Sequence, residues 1–94
     1  MSKEPELIYS DNSLAVVNKP AGLLVHSSAY QKTKEPTLVD WLVKKFPQIK
    51  SVGDDPRWRP GIVHRLDKET SGIMLVALNQ EYFFYLKKLK VEFC

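Results

Sequence analysis

The 94-residue chain is 44% hydrophobic, 11% aromatic and 27% charged, which excludes a disordered chain and a large two-lobed enzyme and predicts one soluble domain. Its net charge of +3 is spread evenly, with seven Lys or Arg against five acids in residues 1–50 and seven against six in residues 51–94, a balance that permits nucleic-acid binding without arguing for it. The single cysteine, Cys94, cannot form an internal disulfide. The opening MSKEPELIYSD lacks the apolar core of a signal peptide, and no run approaches the roughly 18 apolar residues of a spanning helix, so the expected compartment is the cytoplasm.

In chain order, LIYSDNSLAVVNKP reads as a β-hairpin, because β-branched and apolar residues flank Asp11, Asn12 and Ser13, which favour tight turns. In the following KPAG, Pro20 and Gly22 occupy the second and fourth positions of a type I turn. LLVHSS then continues extended, and SSAYQKTKEP is polar and non-periodic, an exposed loop. From Thr37 the period changes: Leu38, Trp41, Leu42 and Phe46 recur at helical spacing, Thr37 and Asp40 stand as a capping box, and Pro47 lies just past the end.

SVGDDPRWRPG is a second loop. Its basic and aromatic RWRPG can grip phosphate or stack on a base, and Trp58 can equally cover the edge of the core. IVHRL and GIMLVAL read as strands, the second buried on both faces because it shows no polar alternation. A last helix starts near Asn79, with Tyr82, Phe83, Leu86 and Leu89 on one stripe. The fold class is therefore α+β, a mixed and mainly antiparallel sheet with flanking helices.

HRLDKETSGIMLV, residues 64–76, crowds charged and hydroxyl side chains against an apolar run. A polar loop held between two strands is where α+β enzymes keep reactive groups, since rigid strand ends fix it. The competing reading is that Asp67, Thr70 and Ser71 satisfy the backbone of their own turn. A calcium loop starting at Asp67 fails because its twelfth position is Leu78 rather than a bidentate Glu, and His26, His64 and Cys94 lack zinc-ligand spacing. No Ser or Cys nucleophile motif is present.

Two longer stretches carry a resemblance. RPGIVHRLDKETSGIMLVA, residues 59–77, resembles the signature of the RluA family of RNA pseudouridine synthases, and IYSDNSLAVVNKPAGLLVH, residues 8–26, is similar to the opening strands of the same catalytic domain. His64 before Arg65 favours this family over RsuA-type enzymes, which usually have Gly there. The resemblance implies that residues 1–94 are a partial catalytic domain, its N-terminal half, without an S4-type RNA-binding domain ahead of it. It implies RNA, tRNA or rRNA, as partner and substrate, with no cofactor, metal or membrane.

Asp67 matches the family's nucleophile, which lets uracil detach, rotate and rejoin the ribose through carbon. Aspartate suits that task because it is ionised at pH 7 and can form and release a covalent bond. Arg65 matches the arginine that enters the RNA stack where the target base leaves, offsetting part of an unstacking cost of a few kcal/mol. Lys19 and Pro20 match the family's NKP turn. Lys19 and His64 are expected, with Arg65, on the RNA side of the site, while Thr70, Ser71 and Gly72 shape the loop that holds Asp67. The family's second half, with its tyrosine and a basic partner for the aspartate, has no counterpart here, and the tail KKLKVEFC departs from the pattern. Two expectations follow: GIMLVAL has an open apolar edge, and the alternative to an active synthase is an inactive remnant or a weak RNA-binding module.

Overall fold

A computed structural model of the chain describes residues 4–26 and 35–93, with side chains as far as Leu89. Most of the loop predicted at 27–36 lies outside the described residues; Glu35 and Pro36 at its end are exposed.

The hairpin forms from β1 (Glu6–Ser10) and β2 (Leu14–Lys19), paired antiparallel with a shift of register between Leu7 and Tyr9. Asp11 makes the turn. Its Oδ1 accepts the Ser13 and Leu14 amides, each at 2.8 Å, and its Oδ2 accepts the Tyr9 hydroxyl at 2.7 Å. β3 (Gly72–Ala77) pairs antiparallel with the other side of β2, in register from Leu14↔Ala77 to Lys19↔Gly72. The sheet order is β1-β2-β3.

Strand alternation sends Ala15, Val17, Met74 and Val76 to one face, where they join Leu38 and Leu42 of α1 (Leu38–Lys45), together with Leu23, Val25, Ile49 and Ile62. The capping box predicted for α1 is present: Asp40 donates its amide to Thr37 Oγ1 and accepts the Thr37 amide on Oδ2. This satisfies two amides of the first turn that have no partner within the helix. A 3-10 turn over Pro47–Ser51 follows. On the other face α2 (Gln80–Phe93) places Phe83 and Leu86 against Val52 and Ala77, and Leu14, Val63, Leu75 and Tyr82 pack around them. The Asn79 side chain caps α2 by accepting the Tyr82 amide at 2.7 Å. Among the described residues no helix is long and apolar enough to cross a membrane.

Three strand expectations are corrected. IVHRL is not a strand: only Ile62 bridges Val76. Beyond it the His64 ring, rather than a backbone carbonyl, takes the Leu75 amide at 3.2 Å, so the ladder stops. β3 is not buried on both faces, because α2 covers only its C-terminal half and Ile73 is 51% exposed. Nor is its edge fully open, since Gly61 O accepts the Ala77 amide at 2.9 Å and His64 accepts that of Leu75. Filling edge donors in this way is a recognised guard against strand-to-strand pairing. Gly61 is obligatory for it: at φ +72° a Cβ there would stand 2.6 Å from Ala77 O.

Candidate active site

Leu66 sets the geometry of the polar loop. It is partly buried against the α1-side core, and its neighbours Arg65 and Asp67 are exposed. In extended chain, residues two apart share a face, and both side chains line one small cleft of about 180 Å3 with Leu24, Val25, His26 and Lys68.

Behind Asp67 the loop turns. The Thr70 amide donates to Asp67 O at 3.0 Å, closing the turn through backbone alone. Among the described residues no group bonds to the Asp67 carboxylate, nor do the exposed Thr70 and Ser71 hydroxyls bond into the turn. The reading in which these three side chains satisfy their own turn therefore fails. Gly72, at φ +152°, lets the chain enter β3 where a Cβ would press to 3.3 Å of Leu66 Cδ1.

The strongest restraint on the loop comes from the KPAG turn. Lys19 has no exposed surface, and its ammonium donates to Leu23 O at 2.7 Å, Pro20 O at 2.9 Å and Lys68 O at 3.0 Å. These three bonds use all three of its donors. Burial pushes the Lys19 ammonium below the ordinary lysine value, and the Glu69 carboxylate draws it part of the way back. Lys68 O also accepts the Gly22 amide at 2.8 Å, so Gly22, at φ +89°, turns its N–H outward to the loop. One carbonyl next to Asp67 is thus fastened twice to the end of β2. Lys68 itself pairs with Glu35 at 2.8 Å, which raises its pKa; both partners are solvent-exposed, and such a pair contributes little.

The structure gives two of the predicted site residues protein partners. Lys19, placed on the RNA side, is enclosed and holds the loop from behind; desolvating an ammonium is tolerable only with its donors satisfied. His64, placed beside Arg65, is half-buried with Nε2 on the Leu75 amide. That bond leaves Nε2 unprotonated and makes the ring a tie between the loop and β3. The structure brings Arg65 and Asp67 together. Trp58 is half-buried and belongs to neither core cluster, with the Arg57 guanidinium 5.3 Å from its ring centre. Sequence reasoning missed Leu66, whose alternation with Arg65 and Asp67 was a usable signal. It also missed the Lys68 carbonyl and the Leu24–His26 wall, which no side-chain pattern announces. Among the described residues no group of three His, Cys, Asp or Glu side chains could hold a metal ion.

Comparison with known proteins bears on the same segments. The family model described as RNA pseudouridylate synthase matches residues 13–92. The chain belongs to the RNA pseudouridylate synthase family. A Helicobacter pylori protein named as an uncharacterized RNA pseudouridine synthase is 49% identical over 76 residues, 81% of this chain and 22% of that protein. A ribosomal large subunit pseudouridine synthase D of Neisseria meningitidis is 49% identical over 72 residues, 77% of this chain and 17% of that protein. Relatives of that name place this synthase-family chain on the RluA branch. Among solved structures, human RNA pseudouridylate synthase domain containing 4 superposes with a TM-score of 0.64 at 27% identity, over 93% of this chain and 30% of that one. This family member spans about a fifth of the length of the two curated relatives.

Proposed function

We propose that the chain carries the nucleophile-bearing part of an RNA pseudouridine synthase, in which Asp67 attacks a flipped-out uridine and the uracil leaves nitrogen-linked and returns carbon-linked. The observation that carries this reading is the Asp67 carboxylate itself: exposed, bonded to no described group, and standing on a loop tied down at Lys68 O, at Leu66 and at Leu75. A nucleophile that must form and release a bond benefits from a rigid support and an unengaged reacting oxygen.

Arg65 lines the same cleft and is exposed. Its planar guanidinium can stack in the gap left by the extruded base and offset part of an unstacking cost of a few kcal/mol. Lys19, Gly22 and His64 act through the loop, holding the backbone that presents Asp67. The reaction is an isomerisation, so it needs no redox partner or added group. Structured RNA is the substrate class, with ribosomal RNA favoured by the names of the relatives, and we assign the activity to the cytoplasm.

A second reading rests on span. Because the chain covers about a fifth of its curated relatives, it binds RNA without turning it over unless joined to further sequence. Incubation with bulk tRNA and rRNA, followed by nucleoside mass spectrometry for pseudouridine, separates the two. The nucleophile reading expects product from the wild-type chain and none from Asp67→Asn; product persisting in the Asn variant overturns it. RNA binding with no product from the wild-type chain selects the second reading.

A further inference from the structure

Away from Asp67, between α1 and the loop at 56–60, lies a groove of about 630 Å3 whose rim carries Lys44, Lys50 and Arg57 and whose walls are Val39, Val43 and prolines. The three basic side chains are exposed. The one acidic residue lining the groove, Asp40, has its carboxylate on the Thr37 amide at 2.9 Å. Lys45, next along α1, places its ammonium 5.1 Å from the Trp41 ring centre.

A second cleft stands on the side of the groove toward the reactive loop. This middle cleft, of about 410 Å3, shares Pro36, Asp40 and Lys44 with the groove, and two further residues of that cleft, Gly22 and Glu35, bond to Lys68 beside Asp67. The middle cleft sets Glu4, Glu35 and Asp40 beside Lys44, with Glu35 paired to Lys68, and Trp41 offers it an apolar wall. Positive charge gathers in the groove, where Lys50 and Arg57 join Lys44. The whole path lies within a body of 34 × 28 × 28 Å, a span that one RNA stem-loop covers.

We propose that this groove is a second RNA contact, a phosphate-backbone subsite in which Lys44, Lys50 and Arg57 hold the strand flanking the target nucleotide. It rests on the reading of the chain as an RNA-modifying domain and adds where the RNA runs beyond the reactive cleft. Such contacts position the nucleic acid without reading its sequence, and their affinity falls with salt because each phosphate neutralised releases counterions.

The test is fluorescence anisotropy of a fluorescein-labelled stem-loop RNA, titrated with the 94-residue chain between 50 and 250 mM KCl. Lys44→Gln/Lys50→Gln/Arg57→Gln is expected to bind about tenfold to a hundredfold more weakly at low salt and to lower the salt slope by about 2–3, at roughly 0.7–0.9 per phosphate lost. Lys87→Gln/Lys88→Gln on α2, outside these clefts, should bind within twofold of wild type. If the triple variant melts early, each single substitution is read instead for a slope change of about 0.7–0.9. The proposal is overturned by an unchanged affinity and slope in the variants, by no RNA binding in the wild type, or by polyglutamate displacing the RNA at equal charge concentration. Pseudouridine formation and its loss in Asp67→Asn are measured separately, so either reading can fail alone.

Discussion

Two of the turns that aspartate leads in this molecule use it in opposite ways. At Asp11 the carboxylate accepts two amides and a tyrosine hydroxyl beside the backbone bond from Asp11 N to Leu14 O, so the side chain is built into the turn. At Asp67 the turn closes through backbone, and the carboxylate takes no partner among the described residues. Both turns are also fastened from outside. The hairpin tip takes the Leu78 amide on Ser13 O and the Asn79 side chain on Asn12 O and Ser13 Oγ, and the 64–71 loop is held by Lys19 and Gly22 at Lys68 O and by His64 at Leu75. The difference lies in the carboxylate: at Asp11 it is spent on its own turn, whereas at Asp67 backbone and distant side chains hold the loop without it, which leaves it for chemistry.

The largest expected effect is on activity. Asp67→Asn should abolish pseudouridine formation while changing unfolding free energy by no more than about 0.5 kcal/mol, as for a surface substitution free of structural partners. Urea melts of the same samples check the second half; a marked loss of stability would mean that Asp67 does structural work as Asp11 does.

Next is Lys19→Met. It preserves bulk but takes the donor from Pro20 O and Leu23 O and leaves Lys68 O with the Gly22 amide alone; each orphaned group costs about 1–3 kcal/mol before relaxation, so a loss of about 2–4 kcal/mol in urea is expected. The sign with pH is fixed by the lowered Lys19 pKa. Between the folded value and the ordinary lysine value the unfolded chain holds more protons, so wild-type stability gains from this group as pH rises through that window. The Met variant should lack that gain.

His64→Ala and His64→Gln separate a tie from mere bulk. The Ala variant should speed hydrogen exchange at Leu75 about tenfold, corresponding to roughly 1.4 kcal/mol for a lost hydrogen bond, and the Gln variant, which keeps an acceptor, should restore part of the protection. Equal exchange in both would mean that the Leu75 amide does not depend on this ring. Smallest is Asp11→Asn. The Asp11 pKa is lowered chiefly by the Ser13 amide, with Tyr9 and Leu14 adding. Its contribution is therefore present at neutral pH and lost as pH falls from the ordinary aspartate value through the lowered one. A pH series of thermal melts should show a slightly smaller acid loss in the Asn variant.

Local rules made much of this legible. The hairpin around Asp11, the capping box of Thr37 and Asp40, the start of α2 at Asn79 and its stripe of Phe83 and Leu86 all follow from residues a few positions apart. The HRLD stretch and NKP turn likewise pointed to the family before any fold was drawn. What misled was composition read without context: IVHRL has the residues of a strand, yet after one bridge its histidine ring displaces the ladder. GIMLVAL has the look of a fully enclosed strand, yet Ile73 lies beyond the reach of α2.

By itself the sequence determined the hairpin, the two helices and the last strand, the family and the candidacy of Asp67, because these depend on side-chain type and short spacing. Only the tertiary structure decided that the Lys19 ammonium is enclosed among loop carbonyls and that the His64 ring meets the Leu75 amide. That outcome turns on backbone groups, Lys68 O reached across 49 positions and Leu75 N across 11. Every peptide unit carries the same donor and acceptor, so packing alone selects which of them a buried ammonium or imidazole will meet.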